Sequence, residues 1–375
     1  MKPIYLDYNA TTPIHPEAAD AMMPYLRHEF GNPSSSYYYG VQARKAVENA
    51  RSQIANLLGC CVEEVVYTSG GSEANNLAIK GYVLAHGKRG NHIITSQIEH
   101  PAVLEVCRHL ESQGFKTTYL PVDSSAMVSP DDVERAIRPE TILITVMLAN
   151  NEVGTIEPLS RIAALAKAKG VIVHTDAAQA VGKIPVNVQE LGVDMLSIAG
   201  HKLYAPKGVG ALYVRQGIEL AKLIHGAAHE RGRRAGTENV LEIVGLGKAC
   251  EIAAGDCEEN RRHLARMRDR LQQGIASRFP SCRVNGHQEL RLPNTLSVSF
   301  PGLGAHEILS ALPDVACSAG AACHSDRVAI SHVLQAMRVP EEHAMGTIRL
   351  STGRMTTEEE IDFAVEAIAK AVLQL

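Results

Sequence analysis

An α/β fold, with a mostly parallel sheet in a larger domain and a smaller α+β domain beside it, is what this sequence predicts. Three observations lead there. Short apolar runs ending in polar residues alternate with helical stretches through the first two thirds of the chain, the βα order that builds parallel sheets. After about residue 255 the pattern changes to a long charged helix, short strands and a final helix. The 375 residues also exceed the roughly 250 to 300 at which a single core stops growing, so the chain should divide. The expected division is 14–258 for the larger domain, with 1–13 and 259–375 forming the smaller one.

The strands read in order as EVVYTSGG, NHIITSQIEH, TILITVMLANNEVG, VIVHTDAAQ and VDMLSIAGHK. In open α/β sheets ligands bind outside the carboxyl ends of the strands, so the polar residues closing these runs should converge on one edge. A sixth segment, SIAGHKLYAPKGVGALYV, is a strand, a Pro/Gly-rich turn and a strand that comes back. In the smaller part, CEENRRHLARMRDRLQQGIASRF and TEEEIDFAVEAIAKAVLQL read as helices, with NTLSVSF and TIRLST as strands. No repeat, low-complexity segment or long linker separates the two parts.

Charge and cysteine usage exclude several classes. Lys and Arg total 37 against 41 Asp and Glu, a net charge of −4, which leaves no basic surplus for direct nucleic-acid binding. The N-terminal MKPIYLDYNATTP lacks the apolar core of a secretory signal, and no apolar run approaches the ~18 residues of a membrane span. A soluble, cytoplasmic protein with no membrane partner is expected. Eight cysteines without a C-x-x-C pair form neither a disulfide framework nor a zinc site, so reduced thiols and no metal are expected. Two of the thiols, Cys317 and Cys323, lie in VACSAGAACHSD, a run of residues too small to build a core and suited to a loop.

The common nucleotide and zinc signatures G-x-x-x-x-G-K-[ST], G-x-G-x-x-G and H-E-x-x-H are absent. YTSGGSEANNLAIKG instead runs strand, glycine-rich turn, helix, so free N–H groups and the helix dipole would face an anion, with the Ser72 hydroxyl helping. An ordinary strand-to-helix turn uses the same residues. Asp176 closes an apolar strand and needs a cationic partner or a donor there, though a helix-capping Asp reads the same way. Lys202 follows another strand, where partial desolvation would lower its pKa and let it form a Schiff base with a carbonyl; a solvated loop lysine is the plain alternative. Together these are the parts pyridoxal 5′-phosphate requires: a phosphate anchor, a partner for the pyridinium nitrogen and an amine.

The segments YLDYNATTP, GNPSS, TSGGSEANN, EHPAV, NNEVG, DAAQ, GHKLYAPKGVG, RAGTEN, SAGAACHS and IRLSTGR carry a resemblance over nearly the whole chain. It resembles the class V, fold-type I pyridoxal phosphate enzymes of the cysteine desulfurase group, NifS/IscS-like. The resemblance implies a mostly parallel sheet of the seven-stranded type in the large domain. It also implies conversion of L-cysteine to L-alanine, with the sulfur passing to a cysteine persulfide and on to an acceptor protein for iron–sulfur assembly or nucleic-acid thiolation. By resemblance Lys202 holds the cofactor covalently, Asp176 binds its ring nitrogen, Gln179 its ring oxygen, and His100 stacks on the ring. Gly71, Ser72 and His201 would hold the phosphate, joined by Thr237 from the neighbouring subunit of a homodimer whose active site is shared. Arg349 and Asn151 would hold the substrate carboxylate, a role for which Arg354 competes. Cys323 matches the thiol that attacks the substrate sulfur, and Cys317 reads as a bystander at the root of that loop.

Three departures from the group stand out. Ala199 occupies a position where many members have a phosphate-binding serine, Ala227, Ala228 and His229 replace a usual Gly-Gly-Gln, and Tyr37, Tyr38 and Tyr39 follow NPSS where histidine is common. GAACHSD, MLANNEVG and the residue at 199 also resemble selenocysteine lyases, which makes L-selenocysteine an alternative substrate. A β-lyase or aminotransferase on the same fold is a further alternative, and would have no use for Cys323.

Overall fold

The computed structural model describes residues 2–324 and 327–375, with 321–324 and 327–329 described by backbone alone. Its larger sheet has seven strands in the order Val65–Thr68, Gly210–Val214, Met195–Ala199, Ile172–Asp176, Thr141–Thr145, His92–Ser96 and Lys116–Leu120. The five strands from Met195–Ala199 to Lys116–Leu120 pair in parallel. Gly210–Val214 is antiparallel to both its neighbours, so Val65–Thr68 points the same way as the parallel set.

Strand periodicity explains why this sheet lies in the interior. Successive side chains point to opposite faces, and each run is apolar at both parities. Val65, Tyr67, Ile94, Ile144, Leu196, Ile198 and Tyr213 enter one core, which the helices Tyr38–Leu58, Leu159–Ala168 and Val240–Gly255 cover. Val66, Ile93, Leu143, Met195 and Leu212 enter a second, covered by the helices Gly71–His86 and Pro101–Ser112. Burial on both faces accounts for near-continuous apolar strands. Lys116–Leu120 is the exception, an edge strand whose sequence KTTYL stays half exposed.

A second sheet of four antiparallel strands runs Ser318–Ala319, Thr347–Ser351, Thr295–Ser299, Arg283–Asn285. The helices Cys257–Arg278 and Glu358–Leu373 supply Met267, Leu271, Ile275, Ile361, Val365 and Ile368 to its core. Glu358–Leu373 starts at a reciprocal cap. The Thr357 hydroxyl accepts from the Glu360 N–H, and the Glu360 carboxylate from the Thr357 N–H, a pairing worth about 1 kcal/mol. The N-terminus belongs with this sheet: Ile4–Tyr5 pairs in parallel with Val315–Ala316, and Leu6 is buried in the same core. Beyond Ser318–Ala319, Ala321–His324 pairs with Arg327–Ile330, placing Cys323 opposite Val328 in the backbone register. The side chain of Cys323 lies outside the described residues.

Among the described residues no helix is long and apolar enough to cross a membrane. No group of three or more His, Cys, Asp or Glu side chains among them could hold a metal ion.

Candidate active site

The carboxyl ends of the co-directed strands open into one cleft of about 350 Å³, lined by residues that include Gly71, Ser72, His100, Asn151, Asp176, Gln179, His201, Lys202 and Arg349. At one end, the helix Gly71–His86 begins directly after the strand Val65–Thr68. Its first N–H groups have no partner within the helix, and its dipole is positive there. Gly70 has φ +148°, a conformation that favours glycine, and a Cβ added at Gly71 would meet the Ala199 methyl at 3.1 Å. The backbone can thus come close to a ligand. Ser72 is exposed at this lip, and His201 shares a hydrogen bond with the Thr11 hydroxyl at 3.2 Å. Burial, followed by the positive charges of Lys202, Lys207 and Lys183, pushes the His201 imidazole down to about 4, so it is neutral at pH 7.

Beside this lip Glu73 is gripped by Arg234, with Nε–Oε1 at 2.9 Å and the second nitrogen to Oε2 at 3.2 Å. Burial alone would raise the Glu73 carboxyl, but the Arg234 and Ser69 hydrogen bonds outweigh it and hold the carboxyl below its usual range. The fork fixes the segment that carries Thr237, which is exposed and is not among the residues lining this cleft.

In the middle of the cleft, Asp176 ends the strand Ile172–Asp176. Its Oδ1 accepts from the Ala178 N–H at 2.9 Å and its Oδ2 from Asn75 Nδ2 at 2.7 Å. The capping alternative is therefore half right, since Asp176 does satisfy a turn N–H while its carboxylate lines the cleft. Lys202 follows Met195–Ala199 in a short 3₁₀ turn, and its Nζ donates to the carbonyls of Asn9 at 2.5 Å and Ala10 at 2.7 Å. Burial, then the Arg349 charge, lowers its pKa to about 8 against the opposing pull of Asp7 and Asp176. Roughly a tenth of such an amine is unprotonated at pH 7, far more than for an ordinary lysine.

His100 precedes the helix Pro101–Ser112 and caps it, Nδ1 accepting from the Ala102 N–H at 3.1 Å. An accepting Nδ1 puts the proton of the neutral ring on Nε2. The ring is solvent-accessible through the cleft mouth, yet removal of bulk water by the surrounding wall lowers its pKa, with Lys202 and His332 adding to this and Asp176 opposing it.

At the far end, Arg349 of the strand Thr347–Ser351 pairs with Asp7 at 2.7 Å, and donates to the Ser318 hydroxyl at 3.1 Å and the Asn151 carbonyl at 3.1 Å. Its buried Nε has no partner among the described residues. Arg354, the competing candidate, is held elsewhere by a two-pronged pair with Asp256 and lies 5.7 Å from the centre of the Tyr204 ring, outside the cleft. Cys317 packs against the core of the four-stranded sheet, and burial pushes its thiol up to about 12, which leaves it protonated and a poor nucleophile.

Sequence reasoning missed Asn9, Asn75 and Lys183. Asn9 is 1% exposed and joins the two parts. Its N–H donates to Ser351 Oγ, its Nδ2 to Thr295 Oγ1 and the Asn151 carbonyl, while its own carbonyl accepts from Lys202 and Gln179. Nothing in YLDYNATTP marks it locally, because its partners are far away in sequence.

Residues 4–363 match the family described as aminotransferase class-V. The chain belongs to the class-V aminotransferase family. Among its curated relatives, the cysteine desulfurase IscS of Methanosarcina thermophila is 48% identical over 376 residues, covering 100% of this chain and 93% of that protein. The cysteine desulfurase IscS of Dictyoglomus turgidum is 47% identical over 374 residues, covering 99% and 95%. Among solved structures, a NifS-like protein superposes with a TM-score of 0.94 at 37% identity, covering 100% of both chains. A protein described as SspA in complex with cysteine does so with a TM-score of 0.84 at 38% identity, covering 94% of this chain and 100% of that one. This class-V member has the fold-type I architecture its sequence predicts, and its likeness is to the NifS/IscS branch.

Proposed function

We propose that the chain is a pyridoxal 5′-phosphate-dependent cysteine desulfurase, converting L-cysteine to L-alanine and passing the sulfur through Cys323 to an acceptor protein. The observation that carries this reading is one cleft with an anion cradle at one end, the Lys202 amine and Asp176 carboxylate between, and the Arg349 guanidinium at the other. The donor set suits the cofactor. Unpaired helix N–H groups lie where a Cβ at Gly71 would crowd, Asp176 accepts hydrogen bonds at the strand end, and the amine is already shifted toward its neutral form. Because Ala199 offers no hydroxyl, the phosphate would rest on the Gly71–Ser72 backbone, the Ser72 side chain and His201.

Bound through Lys202, the cofactor supplies an electron sink for a carbanion at the substrate Cα. Asp176 would keep the ring nitrogen protonated, Gln179 would donate to the ring oxygen, and His100, at the cleft mouth, would be the side chain available to stack on the ring. Arg349, which lines the cleft, would take the substrate carboxylate with Asn151 beside it, since a guanidinium fork suits that planar anion. As a neutral amine Lys202 would remove the Cα proton, and His100 would carry a proton on Nε2 at the cleft mouth. Sulfur transfer is a displacement at sulfur. The Cys323 thiolate would form an S–S bond to the substrate sulfur as the Cβ–S bond breaks; the electron pair of that bond stays with carbon, Cβ takes up a proton by way of His100, and the protonated Lys202 returns one to Cα before alanine leaves.

Thr237, exposed on the segment that the Glu73–Arg234 fork anchors near the cradle, fits a contact with the phosphate site of a second copy, and a homodimer is part of the proposal. So are a cytoplasmic location and the division into 14–258 and 1–13 with 259–375, which the pairing of Ile4–Tyr5 with Val315–Ala316 supports. Incubating the yellow holoenzyme with L-cysteine should yield alanine and a persulfide on Cys323. Cys323→Ala should keep the absorbance and bind cysteine but form no persulfide, and normal desulfuration by that variant would refute the assignment. Selenide from L-selenocysteine with no alanine from L-cysteine would replace the substrate.

A further inference from the structure

Behind Gln179 lies a second lysine that the proposed chemistry does not use. Lys183 is 4% exposed, and no carboxylate pairs with it among the described residues. Its Nζ donates to two side-chain amide oxygens, Gln179 Oε1 at 2.6 Å and Asn9 Oδ1 at 3.1 Å. Asn294 Nδ2 donates to the same Asn9 oxygen at 3.0 Å, so the Asn9 amide is locked with its oxygen toward Lys183. Burial, followed by the positive charges of Lys202 and Arg349, pushes the Lys183 amine well below the ordinary lysine range.

The arrangement orients Gln179. With its oxygen tied to Lys183, the amide must present its NH₂ group the other way, where one hydrogen goes to the Asn9 carbonyl at 2.9 Å. The second hydrogen remains, and Gln179 lines the cleft. An amide carries two donors and one acceptor oxygen, so whichever group fixes the oxygen decides what the cleft receives. We infer that Lys183 is a positioning residue that fixes the Gln179 amide with its N–H toward the cleft, so that Gln179 donates to, rather than repels, an anionic oxygen of the bound cofactor. This rests on the cofactor reading above.

Replacing Lys183 by Met keeps the length of the side chain and removes both hydrogen bonds. The Gln179 oxygen is then buried without a donor, and the amide is free to turn. The readout is the pH midpoint of the visible absorbance of the cofactor joined to Lys202. Arg349, Asp7 and Asp176 act on that amine and are unaltered, as are His100 and His201, which also face it; the charge of Lys183 itself reaches Lys202, and the Q179A background separates that charge effect from the orientation of Gln179. A donor to the cofactor's ring oxygen stabilises its anionic form and lowers the midpoint, so Gln179→Ala should raise it by about one pH unit, the size of one hydrogen bond to a charged oxygen. Lys183→Met should raise it by a similar amount, and should add nothing in the Q179A background.

An equal shift from Lys183→Met in both backgrounds would mean that Lys183 acts by charge or general packing, and would overturn the inference. So would an unchanged midpoint in the single variant. If Lys183→Met fails to fold, Gln179→Glu retains the acceptor for Lys183 but offers no N–H. An unchanged midpoint in both Q179E and Q179A would then defeat the proposal. A wild-type protein that shows no visible absorbance with pyridoxal phosphate would instead sink the cofactor reading itself.

Discussion

The two ends of the cleft are built in opposite ways. The anion cradle is largely local, since residues 68–72 form one strand-to-helix connection, joined by Ala199, Arg234 and His201 from elsewhere in the chain. The Arg349 end is assembled from pieces far apart in the chain. Asp7 meets Arg349 across 342 positions and Asn9 meets Thr295 across 286. A local cradle is specified by backbone conformation and tolerates side-chain change, whereas an assembled wall depends on each side chain arriving in register. Substitutions at the two ends should therefore fail differently.

The largest effect lies between them. Lys202→Ala should abolish the visible absorbance and lower turnover by more than about a thousandfold, because both the tether and the base are lost. Retained absorbance would move the assignment to another lysine. Next comes the assembled wall. Arg349→Ala should raise KM for cysteine about 10- to 100-fold through the loss of a charged hydrogen bond. Arg354→Ala should leave KM nearly unchanged and cost about 1 kcal/mol of stability in urea unfolding, since Asp256 loses its partner at a partly exposed site. The reverse outcome would exchange their roles.

A smaller effect appears in pH. Folding lowers the Lys202 pKa from 10.5 to about 8. Between those values the unfolded chain binds more protons at this site than the folded one, so the site's contribution to stability rises with pH. Burial of the charged amine is a standing cost below about pH 8 that fades as the pH approaches 10. The stability of apo wild type relative to apo Lys202→Met should therefore improve across that window, and a flat difference in urea unfolding would show that the amine is not desolvated. Smallest of all, Ala199→Ser adds a hydroxyl at the cradle. Cofactor affinity should rise only a few-fold in equilibrium titration, because backbone donors already carry that end.

The same contrast decides what was legible in the sequence. Strands buried on both faces are readable from composition alone, and EVVYTSGG, VIVHTDAAQ and VDMLSIAGHK fall where expected, as do the two long helices of the smaller part. KTTYL was not readable, because an edge strand need not be apolar. Gly71, Ser72, Asp176 and Lys202 could be found because each lies within a few residues of a strand end. The resemblance favoured Arg349 over Arg354, both arginines of IRLSTGR, and the fold gives the physical difference between them: Arg349 lines the cleft, whereas Arg354 is paired with Asp256. Asn9 and Lys183 left no local trace, because a buried amide or amine is explained only by partners such as Asn294, which lies 285 positions from Asn9.

Asn9 also has a mechanical consequence. One peptide unit accepts from the reactive amine and from Gln179, while the N–H and side chain of the same residue reach Ser351, Thr295 and Asn294 in the other half. Any hinge movement that widens the cleft must strain or exchange the hydrogen bonds on that residue. Movement there would therefore be felt at the reactive amine, whose Nζ donates to this residue's carbonyl.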